Sequence, residues 1–332
     1  MKAAYISRYG NIDDVQFDEQ PKPSVTEDTV LVKVHAASIN PLDLRVLEGE
    51  FKAILPVKFP FILGNDFAGT VVEVGSNVSQ FKVGDEVYAK TDLNGAFAEY
   101  TVVQQSSLAL KPQNISMEQA AALPLVALTS WQALVEIAKV KAGQKVLIHA
   151  GSGGVGSIAI QLAKSLGAKV ATTTSAKNSG WVKELGADII IDYKTMDFEQ
   201  ELKDYDVVLD TQGGKTLEKS LTVLKRGGRL ISISGPPDHA FAEVINPNWF
   251  LKCVIPMLSW SIRHKAKKRG ITYSFLFMQP NGQQLSKITE LVETGKIKPV
   301  VDQTYGFVQI KEALQYVNTG RSKGKVVLQF DE

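Results

Sequence analysis

Cysteine is almost missing from this chain of 332 residues: Cys253 is the only one. Internal disulfides and every metal site built on several thiolates are therefore excluded. Histidine is nearly as scarce, and the four present (His35, His149, His239, His264) show no metal-ligand spacing. An excess of charge of one sign is lacking too. With 37 basic and 35 acidic residues the net charge is +2, which gives no pull toward nucleic acid or a membrane surface in bulk. No apolar run reaches the ~18 residues that span a bilayer. The opening MKAAYISRYG has no apolar core of a secretory signal. There is no internal repeat and no low-complexity linker. A globular protein of the reducing cytoplasm is the expectation. Cys253 lies in an apolar stretch and is expected to be buried filler.

What is present begins with Val146 to Gly156, VLIHAGSGGVG. Val146, Leu147, Ile148 and Ala150 form a strand that runs into Gly151, Gly153, Gly154, Val155 and Gly156. A helix follows, starting near Ser157, with Ile158, Ile160, Leu162 and Leu166 apolar, and stops at Gly167. Glycine at 151 permits the turn, at 153 it lets the backbone approach a pyrophosphate, and at 156 it lets helix and strand pack closely. Phosphates are expected at the helix N-terminus, where free N–H groups and the helix dipole attract anions. The second strand, Lys169–Thr174, decides between dinucleotides. An NAD site usually has an acid about 20 residues beyond the first glycine, on the ribose 2′-hydroxyl. Thr172 to Asn178 reads TTTSAKN and has none. Ser175, Lys177 and Asn178 suit a 2′-phosphate instead, through charge-assisted hydrogen bonds of ~1.5–3 kcal/mol each. The cofactor expected is NADPH. Lys177 can also be read as a solvated loop lysine. Tyr193, after the third strand, is a candidate cover for the adenosine end, or an aromatic plug.

The first ~120 residues read as short strands separated by turn residues, among them Val30–Ala36, Phe67–Val74, Glu86–Ala89 and Phe97–Val103. From about Pro124 helix and strand alternate, with strands at Asp188–Ile191, Val207–Asp210 and Leu230–Ser234. Such alternation predicts an α/β fold with a doubly wound parallel sheet. Its carboxyl edge should gather Ala150, Ser175, Tyr193, Thr211 and Ser234. Helices at Leu285–Glu293 and Ile310–Val317 and a strand at Lys325–Phe330 close the chain. The expected division is a β domain over 1–123, completed by 268–332, and a nucleotide-binding domain over 124–267.

Several motifs occur in order. They are Asn40-Pro41-Leu42-Asp43, Gly64-Asn65-Asp66-Phe67-Ala68-Gly69, Val83-Gly84-Asp85-Glu86-Val87, Leu123-Pro124 through Thr129-Ser130-Trp131-Gln132-Ala133, the glycine turn, and Gly320 to Val327. Together they resemble the medium-chain dehydrogenase/reductase superfamily, and within it the zinc-free NADPH:quinone and enone oxidoreductases. The resemblance implies a GroES-like β domain plus a Rossmann domain, and a homodimer. It also implies that Thr129, Ser234, Gly235 and Phe277 lie near the nicotinamide half of the cofactor, and that Gly324 and Lys325 belong to a segment closing over it. Zinc members of the superfamily carry a cysteine just after the Ala36-Ala37-Ser38 region and a histidine after Gly64. This chain has Asn40 and Asn65 there.

Without a Lewis acid the hydride acceptor must already be electron-poor: a quinone, or the β-carbon of an α,β-unsaturated ketone or aldehyde. Negative charge then grows on a carbonyl oxygen, and donors facing it lower the barrier. Asn40 and Arg45 are the candidates. Relatives resembling enone reductases have a basic residue at the Arg45 position and bacterial quinone reductases a tyrosine, so Arg45 points to enones, or contacts the cofactor. Asn40 can also be a plain turn residue and Arg45 a surface cation. Asp43 is expected to organise the loop. Trp249 to Ile262 (WFLKCVIPMLSWSI) is apolar, with Pro256 interrupting any long helix. It is expected as a pocket lid or dimer contact, suited to a small hydrophobic substrate, the other reading being a membrane-surface segment. The alternative to a reductase is a non-catalytic NADPH-binding redox sensor or structural protein.

Overall fold

The structure, a computed structural model, describes residues 1–92 and 95–330. It divides into two compact units, Met1–Leu128 with the chain from Gln279 onward, and Thr129–Met278. Both junctions fall later than the 123/124 and 267/268 read from the sequence. Asp331 and Glu332, at the end of the expected tail, lie outside the described residues.

The first unit is built on β1 (Lys2–Ile6), β2 (Gln16–Glu19), β3 (Thr29–Ile39), α1 (Pro41–Leu47), β4 (Phe61–Ile62), β5 (Asp66–Val74), β6 (Glu86–Lys90), β7 (Tyr100–Gln104), β8 (Leu108–Leu110) and α2 (Met117–Ala121). The helix α3 (Pro124–Trp131) follows and contains the division point. β1 pairs antiparallel with β2 and with β4. β3 is buried along nearly its whole length because β5 and β7 both pair with it. Its alternate residues Val30, Val32 and Val34 enter a core with Phe67, Val71 and Phe97. Burial of each such side chain is worth roughly 1.5–3 kcal/mol.

The second unit alternates as expected: β9 (Lys145–Ile148), α4 (Gly154–Ser165), β10 (Lys169–Thr174), α5 (Ser179–Glu184), β11 (Ile189–Asp192), α6 (Phe198–Glu201), β12 (Tyr205–Asp210), α7 (Gly214–Val223), β13 (Leu224–Ser232), α8 (His239–Ile245), α9 (Trp249–Leu258), α10 (Trp260–Lys268) and β14 (Thr272–Phe275). The strand order is β11-β10-β9-β12-β13-β14, parallel throughout. Val146, Leu147 and Ile148 of the central β9 are all fully buried, as strands covered on both faces must be. β14 explains the displaced second junction: Thr272 to Phe275 pairs with β13 and keeps the chain in this unit beyond Lys268.

Pro256 does not interrupt its segment. α9 runs through it, and the break comes at Ser259. Ser259 Oγ and the Arg263 guanidinium donate to the Pro256 carbonyl at 3.2 and 2.7 Å, satisfying that oxygen where the helix ends. Cys253 is exposed, not buried filler. In α9 only Ile255 is buried, while Trp249 and Met257 are 78% and 70% exposed. Two residues apart on a helix, Cys253 and Ile255 point about 200° away from each other, so the turn that buries Ile255 faces Cys253 outward. No helix among the described residues is long and apolar enough to cross a membrane.

The tail adds α11 (Gly282–Glu293), β15 (Val301–Gly306), α12 (Ile310–Asn318) and β16 (Lys325–Gln329) to the first unit. β16 pairs antiparallel with β3, Val326 opposite Ile39, while β5 sets Asp66 opposite Ser38. This register brings three strand ends together: Asn40 after β3, Asp66 opening β5 and Lys325 opening β16.

Candidate active site

The glycine turn occupies the carboxyl edge of the parallel sheet. α4 begins at Gly154, three residues before the expected Ser157, so Gly154 and Val155 belong to its first turn. Gly153 is the N-cap and has no side chain to cap it, so the first N–H groups of the helix have no intrahelical partner. A Cβ at Gly153 would meet nothing nearer than the Ala150 carbonyl at 3.4 Å, whereas one at Gly156 would lie 2.2 Å from that oxygen. At Gly151 it would lie 2.2 Å from Thr172 Oγ1. Thus 151 and 156 are glycines for packing, whereas a side chain at 153 would meet only ordinary contact from the protein. Ala150 sits at φ 53, a left-handed conformation costly for a residue with a side chain.

At the end of β10, Thr174 Oγ1 and Asn178 Oδ1 are buried and have no hydrogen-bond partner among the described residues. Such atoms are rare in folded proteins and mark a place for a ligand or water. Ser175 and Asn178 are buried, and Lys177 is exposed and makes no ion pair among the described residues. Tyr193 is 62% exposed beside them, its N–H donating to the Thr174 carbonyl. Thr211 Oγ1 donates to the His149 carbonyl (3.1 Å) and Ser234 Oγ to the Thr211 carbonyl (3.0 Å), so these residues do share one edge. Gly235 follows, with no room for a Cβ against the Tyr273 hydroxyl. Phe277 packs edge-on against Phe241 at 5.1 Å, and Thr129 is buried. An uncapped helix start at Gly153, and Ser175 with the exposed Lys177 beyond the next strand in place of an acid, fit a dinucleotide with a 2′-phosphate.

The first unit holds a second constellation. Asp66 is fully buried, and four donors reach its carboxylate. Oδ2 accepts from Asn40 Nδ2 (2.9 Å), Ser38 Oγ (3.2 Å) and Lys325 Nζ (3.2 Å), and Oδ1 from the Leu125 N–H (2.9 Å). Lys325 Nζ also donates to Asn40 Oδ1. Asp43 accepts from the Asn40 N–H (2.7 Å) and Asn65 Nδ2 (2.7 Å), which ties down the start of α1. Burial pushes the Asp43 carboxyl up to about 6, against the pull of those two hydrogen bonds. Asn40 is 1% exposed, and both ends of its amide are engaged. Arg45, on α1, is more accessible: its guanidinium pairs with Glu50 and lies over the Phe51 ring at 4.9 Å. Gly324, at φ +74, turns the chain into β16.

These residues do not fit a zinc ion. The cluster offers no thiolate or imidazole, and the oxygens of Asn40 and Asp66 that would serve a metal already accept from an ammonium. Among the described residues no group of three His, Cys, Asp or Glu side chains could hold one.

Asp66 was legible only as part of a motif; Lys325 was expected in the segment over the cofactor, and the structure buries its Nζ against Asn40 and Asp66. The signal for Asp66 was a carboxylate opening an apolar strand. Lys325 as its partner required the pairing of β16 with β3, which joins residues far apart in the chain.

Residues 26–113 match the family model for the alcohol dehydrogenase GroES-like domain, and 185–328 that for zinc-binding dehydrogenase. The chain is 37% identical over 344 residues to the chloroplastic NADPH-dependent alkenal/one oxidoreductase of Arabidopsis thaliana, covering 99% of this chain and 79% of that one. The solved quinone oxidoreductase from Coxiella burnetii aligns at TM-score 0.85 with 32% identity over 99% of each chain. The Escherichia coli quinone oxidoreductase complexed with NADPH aligns at 0.83 with 26% identity, over 99% of this chain and 100% of that one. The chain belongs to the medium-chain dehydrogenase/reductase family, within its group of quinone and alkenal/one oxidoreductases.

Proposed function

We propose that this protein is an NADPH-dependent reductase of electron-poor carbonyl compounds, α,β-unsaturated ketones and aldehydes or quinones, that works without zinc. The observation that carries it is the carboxyl edge of the second unit, where the uncapped start of α4 at Gly153 is followed, beyond β10, by Ser175 and the exposed Lys177 where an NAD site has an acid.

Bound NADPH supplies the hydride. The Gly151–Gly156 backbone holds its pyrophosphate through the N–H groups at the start of α4. Ser175, Lys177 and Asn178 hold the 2′-phosphate, and Tyr193 covers the adenosine. Thr129, Ser234, Gly235 and Phe277 serve the nicotinamide half. Arg45 is the donor for the carbonyl oxygen that gains charge, being a cation with solvent access. Asn40, with its amide engaged on both sides, holds the start of α1 and so places Arg45. The enolate, or the hydroquinone anion formed from a quinone, takes its proton from water, so no general acid is needed. A homodimer in a reducing compartment completes the proposal; a chain with a single cysteine suits such a compartment.

The test is the loss of NADPH absorbance against a panel of small enones and quinones. Turnover with at least one class supports the reductase. Tight NADPH binding with no turnover across the panel makes the protein a sensor or structural protein.

A further inference from the structure

We propose that Lys325 is a positioning residue whose buried Nζ holds the Asp66 carboxylate in place and the Asn40 carboxamide in one orientation, and through them fixes the starts of α1 and α3. The part that concerns turnover rests on the reductase reading above; the part that concerns the ion pair does not.

Three strand ends meet at the ammonium. Lys325 is 4% exposed, and its Nζ reaches Asn40 Oδ1 and Asp66 Oδ2. Asn40 cannot flip its amide, because the flip would turn its NH2 toward the ammonium and its oxygen toward the carboxylate. The direction of the amide is therefore set by charge on both sides. Asp66 in turn spends Oδ1 on the Leu125 N–H in the first turn of α3, where a helix N-terminus welcomes a carboxylate. Asn40 stands before Pro41, and its backbone N–H is held by Asp43, so the first turn of α1 is anchored to the same cluster. Arg45 rides on that helix. A buried carboxylate without its cation is costly, and so is a buried ammonium without its carboxylate, but an assembly lacking both is not. That asymmetry separates a functional pair from two unrelated buried groups.

The experiment uses Lys325→Met, Lys325→Arg, Asp66→Asn and the double variant Asp66→Asn/Lys325→Met. It reads kcat with the preferred acceptor, the NADPH dissociation constant by fluorescence, and the urea midpoint. Lys325→Met is expected to lower kcat roughly tenfold or more, as misplacement of a reacting group does, with NADPH affinity held within about twofold. Lys325→Arg returns the charge with a bulkier head and is expected to regain part of the loss. The double variant is expected to unfold at a higher urea concentration than either single one. The proposal is overturned if Lys325→Met keeps the parental kcat, if it weakens NADPH in place of kcat, or if the double variant loses the sum of the two single losses. Should Lys325→Met not fold, the double variant and Lys325→Arg carry the same comparison. Should the parent protein reduce no acceptor, the reductase reading fails, and the urea midpoints alone still decide the ion pair.

Discussion

His149 and Ser220 are joined by a hydrogen bond of 2.9 Å whose direction is set by its neighbours. Ser220 gives its own hydrogen to the Thr216 carbonyl (2.7 Å), so it accepts from Nε2–H of His149. On the other side Thr173 Oγ1 accepts the Ala150 N–H (3.1 Å) and gives its hydrogen to Nδ1 (3.2 Å). A neutral imidazole thus links α7 to the left-handed Ala150 at the entrance of the glycine turn. A protonated ring would carry a second N–H, facing Thr173, and the chain of donors would break.

Burial pushes the His149 imidazole down to about 4 from its ordinary 6.5. The folded protein therefore stays neutral at this site while the unfolded chain takes up a proton below 6.5. Stability is full above that pH and falls as the pH drops toward 4, by on the order of 3 kcal/mol if this group acts alone. His149→Gln is expected to lower stability at neutral pH but to flatten this slope. Urea midpoints of both proteins between about pH 4.5 and pH 7.5 check it. Curves that run parallel across that range would show that His149 titrates no differently in the two states.

The two inner glycines should fail in different ways. Gly156→Ala puts a methyl 2.2 Å from the Ala150 carbonyl, a clash of backbone with backbone that the turn cannot absorb. A loss of about 1–3 kcal/mol of stability is expected. Gly153→Ala meets only ordinary contact at 3.4 Å, so the fold should keep its melting temperature within a few degrees' worth of ~0.5 kcal/mol. It should nonetheless weaken NADPH, because the methyl fills the approach to the helix start. Calorimetric binding and thermal melts of the two variants separate the roles. A Gly153→Ala protein that binds NADPH as tightly as the parent would remove the phosphate from this turn.

Lys177 is exposed and unpaired among the described residues, so removing it costs the fold little. Lys177→Ala is expected to weaken NADPH by ~1.5–3 kcal/mol, the worth of a charge-assisted contact, and to leave NADH nearly unchanged. Dissociation constants for both nucleotides are the measurement. Equal losses would mean that Lys177 does not read the 2′-phosphate.

The second unit was legible because its signals are local. A strand, four glycines and an amphipathic helix occupy adjacent residues, and the missing acid lies one strand further on. Its sixth strand was not legible. Thr272 to Phe275 is four residues long, shows no clear alternation, and is defined by its pairing with β13. The first unit was legible as strands and turns, but its polar cluster was not. Asn40, Asp66 and Lys325 come from three strand ends joined by register, and no local pattern encodes that meeting. The exposure of Cys253 has no local signature, because an apolar stretch need not be buried: α9 turns most of its apolar side chains outward.

Arg45 and Asn40 stand five residues apart and should part company under mutation. Arg45 makes an ion pair with Glu50 that is roughly half exposed on both sides, a kind of pair that adds ~0–1 kcal/mol to stability. Arg45→Ala should leave the urea midpoint close to that of the parent. If Arg45 donates to the developing oxyanion, its loss should lower kcat by about 10-fold to 100-fold, toward the low end because solvent weakens an accessible donor. NADPH affinity should stay. Asn40→Ala removes the acceptor of Lys325 and one donor of Asp66 from a buried cluster, so it should lower both kcat and the urea midpoint. Steady-state kinetics and denaturation of the two proteins give the comparison. An Arg45→Ala enzyme with undiminished kcat toward both enones and quinones would leave the carbonyl oxygen without its donor and return Arg45 to the surface.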